Sequence, residues 1–159
     1  MRNLILIARI LISALFLLSA VAKLYPTPLY GITKVFEEGQ LIPMGFSSDF
    51  APFLSRLIIG FEFFIAFAIL QTHYIKKLVV PSTILLVSVF CVDLAIDIFG
   101  GVDDNCGCFG QLIPMTPIEA FIKNIFTILI LLYIYRNVSD KENSNFLLLL
   151  NGYLIISVL

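Results

Sequence analysis

Residues 4–24 read Leu4-Ile5-Leu6-Ile7-Ala8-Arg9-Ile10-Leu11-Ile12-Ser13-Ala14-Leu15-Phe16-Leu17-Leu18-Ser19-Ala20-Val21-Ala22-Lys23-Leu24. The run matches the roughly 20 apolar residues that a helix needs to cross a bilayer. Residues 53–70, 78–99 and 118–135 repeat that length and apolarity, and together the four stretches predict an all-α integral membrane protein, a four-helix transmembrane bundle. Composition agrees. Of 159 residues, 60% are hydrophobic and 13% charged, with mean hydropathy +1.02, whereas a soluble domain averages roughly 45–50% apolar and about 25% charged. A water-soluble globule is excluded, and the lipid bilayer is the expected surrounding. Ten Lys and Arg against eleven Asp and Glu give a net charge of −1, without the basic surplus that nucleic-acid binding requires.

The bundle is predicted to occupy residues 1–140, followed at residues 141–159 by a polar linker and a short apolar segment. Residues 146–159 are too few to span comfortably at 1.5 Å rise per residue; a partial fifth helix, an interfacial segment and a truncated end are the open readings. Positive charge sets the orientation. Arg2, Lys76, Lys77, Arg136 and Lys141 lie on one set of flanks and Lys34 on the other, which predicts a cytoplasmic N-terminus and places residues 23–52 and 100–117 outside. Arg2, the first apolar run and Ala20-Val21-Ala22 also imitate a secretory signal. Cleavage after Ala22 would not invert the remaining spans.

The two outer segments share a repeat. Gly39-Gln40-Leu41-Ile42-Pro43-Met44 recurs as Gly110-Gln111-Leu112-Ile113-Pro114-Met115, each copy shortly before an even-numbered span, as a duplicated two-helix unit or a recurring turn would place it. In the longer segment, Leu29, Ile32 and Phe36 at helical spacing, with Lys34, Glu37 and Glu38 elsewhere on the turn, predict a short amphipathic helix lying on the outer surface.

The outward loop before the fourth span carries Asn105-Cys106-Gly107-Cys108-Phe109-Gly110. Its two thiols lie on the side where disulfides persist. A Cys-Gly-Cys bridge closes a very small ring, and strained or exposed pairs are the labile, catalytic ones. That favours a redox pair of Cys106 and Cys108; a structural staple is the competing reading, and a Cu(I) site with Met115 is a third. With three cysteines and one histidine, a closed four-ligand zinc site is hard to assemble, and no metal is expected. Asp103 and Asp104 oppose thiolate formation, while the N-terminus of the following helix favours it. Cys91, inside the third span, reads as a packing cysteine or a relay thiol.

Charges inside a membrane are expensive and count as functional hypotheses. Lys23, Arg56, Asp93, Asp97, Glu119 and Lys123 fall in one layer toward the cysteine side, with Glu62 deeper. Asp93 and Asp97, four residues apart, share a helix face, and Arg56, Lys123 and Lys23 are their candidate counter-charges. Two readings follow: a proton and charge layer of Glu62, Asp93, Asp97 and Lys123 serving the thiols, or an ion-pair network holding the bundle. Arg9 is shallow enough to snorkel. Tyr25, Tyr30, Tyr133 and Tyr135 read as interfacial belts, and Phe90, Phe99 and Phe109 as core or lipid-facing rings or as the lining of a quinone pocket.

Residues 9–24, ending in the small-residue-then-Lys-Leu pattern Ser19-Ala20-Val21-Ala22-Lys23-Leu24, and the stretch Cys106-Gly107-Cys108-Phe109-Gly110 resemble the MauE/DoxX group of redox-associated membrane proteins. Glu62 falls where the second helix of that group tends to carry an acidic residue. The resemblance implies thiol redox outside the bacterial cytoplasmic (inner) membrane, with an extracytoplasmic thioredoxin-like or disulfide-containing partner. MauE is associated with maturation of methylamine dehydrogenase and DoxX-type relatives with thiosulfate:quinone oxidoreduction. No residue here points to methylamine, so the implied role is the broader one of electron transfer or disulfide supply. The layout is also similar to DsbB and the vitamin K epoxide reductases. Those use a Cys-x-x-Cys pair, whereas this chain has Cys-x-Cys and no second outer pair. The competing class is a non-catalytic membrane scaffold or assembly factor with a structural disulfide.

Overall fold

The computed structural model describes residues 2–24, 36–71, 74–102, 106, 108–109 and 112–139. Their regular elements are all helices, with no strand among them. Helix α1 covers Arg2–Leu24, α2 Ala51–Ala68, α3 Val80–Phe99 and α4 Pro117–Asn137. A π-helical turn, Glu37–Leu41, precedes α2, and a second, Ile75–Val79, runs directly into α3. Four segments, Asn3–Leu24, Ala51–Ala68, Ile75–Phe99 and Pro117–Asn137, are long and apolar enough to cross a membrane. The protein is a multi-pass membrane protein. Tyr25, Leu29, Tyr30, Ile32, Lys34, His73, Asp103, Asp104 and residues 141–159 lie outside the described residues.

Local sequence explains the ends of the helices. Proline occupies the first turn of α2 and α4, where its missing N–H leaves no intrahelical bond unmade, whereas Pro81 of α3 follows directly on the π-helical turn. At α4, Thr116 and Glu119 form a reciprocal capping box, satisfying two otherwise orphaned donors. Helix α3 stops at Gly100, and Gly101 follows at φ +73°, a left-handed conformation that glycine adopts without steric penalty.

Packing runs in pairs: α1 lies against α2 and α3 against α4, and α1 also touches α4. These are the two hairpins in which the six-residue repeat recurs. Ile12, Phe16, Phe64, Ile65, Ile69, Val79, Leu131 and Ile134 form the main apolar core, to which Cys91 also belongs. The outward faces stay apolar, with Leu85, Val92, Ile96 and Phe126 well exposed, as expected where lipid takes the place of water.

Two expectations change. Arg9 does not reach for water: it is buried and donates from Nε to the Ile69 carbonyl and from a terminal guanidinium nitrogen to that of Gln71, each at 2.7 Å. A buried guanidinium finds at the last carbonyls of α2 both acceptors and the negative end of a helix dipole. The described part of the surface helix also turns inward. Phe36, Gln40 and Leu41 are buried, and the Phe36 ring meets Phe90 edge-on at 6.3 Å. The π-helical turn therefore plugs one end of the bundle.

Candidate functional site

Cys106, Cys108 and Phe109 are set inside the bundle. They are 3%, 7% and 4% exposed, packed with Ala22 of α1, Leu94 of α3 and Ala120 of α4. The Cys106 N–H donates to the Met115 carbonyl at 3.0 Å, and the Cys108 carbonyl accepts from Ser19 Oγ at 3.2 Å. Irregular backbone at this depth needs protein around it and partners for its polar groups. The sequence reading put a polar layer beneath the thiols; Ser19, a helical turn below Lys23, reaches the loop directly, so thiols and polar groups share one layer.

Glu62 of α2 and Lys23 of α1 form a buried ion pair, Nζ to Oε1 at 2.7 Å, with side-chain exposures of 4% and 2%. Ser19 Oγ accepts from Lys23 Nζ at 2.7 Å and lies 3.0 Å from Glu62 Oε1, donating between that oxygen and the Cys108 carbonyl. The Lys23 ammonium also sits 5.0 Å from the Phe36 ring centroid, a favourable cation–π position. The second carboxylate oxygen, Glu62 Oε2, has no hydrogen-bond partner among the described residues. Gln40, from the first copy of the repeat, directs Nε2 toward Cys108 Sγ at 3.9 Å.

Lys123 of α4 covers the other side, its ammonium 4.4 Å from the Phe109 ring centroid. The two thiols are consequently unlike. Cys108 is lowered to about 7, first because the Cys106 thiol donates a hydrogen bond to it and then through the charges of Lys123 and Lys23, against burial and Glu62. The same hydrogen bond, reinforced by burial, pushes Cys106 up. A hydrogen bond to the charged form stabilises a thiolate as a nearby cation does. The structure holds both cysteines, and Cys91, as free thiols.

Beneath Cys108 lies a cavity of about 40 Å³, lined by Ser19, Lys23, Gln40, Glu62, Phe90, Phe109, Lys123 and Asn124 among others. At roughly 10–15 Å³ for each water, it holds about three. It is far below the roughly 300 Å³ at which pockets for larger ligands begin, so a quinone ring does not fit. The three rings expected to line a quinone pocket also separate: Phe90 and Phe109 face the cavity, whereas Phe99 is 93% exposed. Met115 packs against the thiol cluster, and no group of three or more His, Cys, Asp and Glu side chains converges as a metal site among the described residues.

The remaining site residues are spread out. Asp93 is buried on α3, hydrogen-bonded to Gln40, and its Oδ2 has no hydrogen-bond partner among the described residues. Asp97 is half-buried one turn nearer the loop, and Arg56 is exposed. Lys23, one candidate counter-charge for the aspartates, belongs to Glu62. Glu119 closes the α4 cap. Cys91 is buried beside Asn124, with which its thiol hydrogen-bonds. Sequence reasoning missed Ser19 and Gln40. The first had a legible signal, four residues before Lys23 on the same helix face; the second lay inside the repeat without a role.

Comparison with known proteins adds two findings. Residues 1–136 match the family described as methylamine utilisation protein MauE. Protein TlpB of Flavobacterium psychrophilum is 47% identical over 152 residues, which cover 94% of this chain and 40% of that relative. The chain thus spans about 40% of the relative's length. No solved structure matches. The match takes in all four helices and the Cys106–Cys108 loop, and the chain belongs to the methylamine utilisation protein MauE family.

Proposed function

We propose that this chain is a thiol–disulfide exchange protein of the bacterial inner membrane. Its N-terminus is cytoplasmic, and its cysteine loop serves an extracytoplasmic thioredoxin-like or other disulfide-containing protein. The observation that carries the reading is the buried pair of free thiols, Cys106 and Cys108, packed in one cluster, with Lys23 and Lys123 lining the same cavity as Cys108. Cys108, the more acidic thiol, attacks a sulfur of the partner disulfide, and one partner thiolate leaves. Cys106 then loses its proton and attacks Cys108, releasing the second partner thiolate. Two electrons pass to the partner, and each step runs equally in reverse. Lys123 and Lys23 hold the thiolate charge. Glu62 Oε2 takes up the proton through cavity water, Asp93 holds Gln40 in place, and Asp97 passes protons toward the loop.

Near-complete burial of both thiols favours one competing reading, a scaffold whose loop is merely fastened by a disulfide. Trapping separates the two. In whole membranes, Cys106→Ser is expected to accumulate a mixed disulfide through Cys108, Cys108→Ser none, and the wild-type pair to titrate above about −300 mV. A pair that stays oxidised below that potential, with partner redox states unchanged in both variants, refutes exchange and leaves the scaffold.

A further inference from the structure

Resting on that redox reading, we propose that the cavity beneath Cys108 is a hydrogen peroxide site and that the thiol pair reduces peroxide to water. The cavity holds about three waters and sits under Cys108, a residue only 7% exposed. A two-oxygen molecule enters such a space; a branched hydroperoxide does not. The lining matches peroxide group by group. Glu62 Oε2, buried and without a hydrogen-bond partner among the described residues, accepts one peroxide O–H. The Gln40 amide, directed at Sγ, and the ammonium group of Lys123, which lines the cavity, supply donors for the peroxide oxygens.

The chemistry balances without any group from outside. The Cys108 thiolate attacks one peroxide oxygen, the O–O bond breaks, and the departing hydroxide takes a proton from the Lys123 ammonium, which solvent later restores. Products are a Cys108 sulfenic acid and one water. The Cys106 thiol, already hydrogen-bonded to Cys108, attacks the sulfenic sulfur and releases a second water. Two electrons move from the sulfur pair to the O–O bond, and the pair ends as a disulfide. Peroxide is thereby the two-electron acceptor of a chain whose third cysteine, Cys91, stands alone in α3. The disulfide formed is the oxidant that exchange then hands to a partner protein.

The test uses the reduced full-length chain in nanodiscs, mixed at pH 7 with hydrogen peroxide, with tert-butyl hydroperoxide and separately with glutathione disulfide. Hydrogen peroxide is expected to close the Cys106–Cys108 disulfide at least about tenfold faster than in the guanidinium-unfolded chain, since both thiolate fraction and donor placement favour it. It is also expected to outpace tert-butyl hydroperoxide by about a hundredfold, because a close-packed interior does not open for the larger molecule. In Cys106→Ser, dimedone should label Cys108; in Cys108→Ser it should leave Cys106 unlabelled. Equal rates for the two hydroperoxides, or closure no faster than in the unfolded chain, overturn the inference. Closure by glutathione disulfide but not by peroxide overturns it and leaves exchange standing. Closure by none of the three overturns both.

Discussion

Replacing Lys23 by Met removes one charge from the Lys23–Glu62 pair and leaves the other buried. At 2.7 Å and an effective dielectric of about 20, the attraction is about 6 kcal/mol. Desolvation of both ions offsets much of it. What the single substitution exposes is the uncompensated Glu62 carboxylate, a cost of about 3–5 kcal/mol. Glu62→Leu, which strands the ammonium, should cost a similar amount. The double variant should lose far less than the two singles together, because neither charge is left to desolvate. The assay is reversible unfolding in mixed micelles for wild type, both singles and the double, with the pH profile of Cys108 alkylation read on the same samples. Lys23→Met should shift that profile upward, since the ammonium is one of the charges holding Cys108 low. Stability changes that add to within about 0.5 kcal/mol would show that the two groups do not sense each other and would refute the site as described.

Alkylation of wild-type Cys108 is expected to reach half its maximal rate near pH 7, and Cys106→Ala, which removes the hydrogen-bond donor, should move that midpoint toward the ordinary thiol range. Because folding depresses the Cys108 value, its contribution to stability is present above the ordinary thiol range and is lost as pH falls toward 7; unfolding followed from pH 9 to pH 6.5 checks the sign. Arg9→Leu should cost about 2–4 kcal/mol through two charged hydrogen bonds while leaving Cys108 alkylation unchanged, with hydrogen exchange quickening at the end of α2. Thr116→Ala should loosen the first turn of α4 by about 1 kcal/mol, visible as faster exchange at Glu119.

Sequence periodicity and length were enough to locate the four spans, because a bilayer imposes a length that almost any apolar helix must meet. Cys106 and Cys108 were legible as a pair for a similarly local reason, two thiols separated by one glycine. The partner of Glu62 was not. Depth along separate helices placed Lys23, Arg56 and Lys123 in one layer, but which ammonium meets which carboxylate depends on helix rotation and on how far a lysine stem bends, and neither is written in spacing. Gln40 illustrates the same limit. Its six-residue context marked it as a repeated turn, whereas its role comes from a π-helical turn that carries it under the loop. Arg9 looked shallow enough for water, yet the unsatisfied carbonyls of α2 lay closer.

Arg9, Ser13, Ser19 and Lys23 of α1 form a ladder along one partner. Arg9 holds the carbonyls of Ile69 and Gln71, Ser13 donates to the Ala66 carbonyl at 2.6 Å, and Ser19 and Lys23 meet Glu62. Rungs at both ends and between them forbid α1 and α2 to slide or rotate past each other without breaking several bonds at once in a medium that offers no replacements. The first hairpin is therefore a fixed frame. Whatever movement accompanies a change of charge at Cys108 falls to the second hairpin, which among the described residues meets that frame through rings, apolar side chains, the Gln40 amide and the Ser19–Cys108 hydrogen bond.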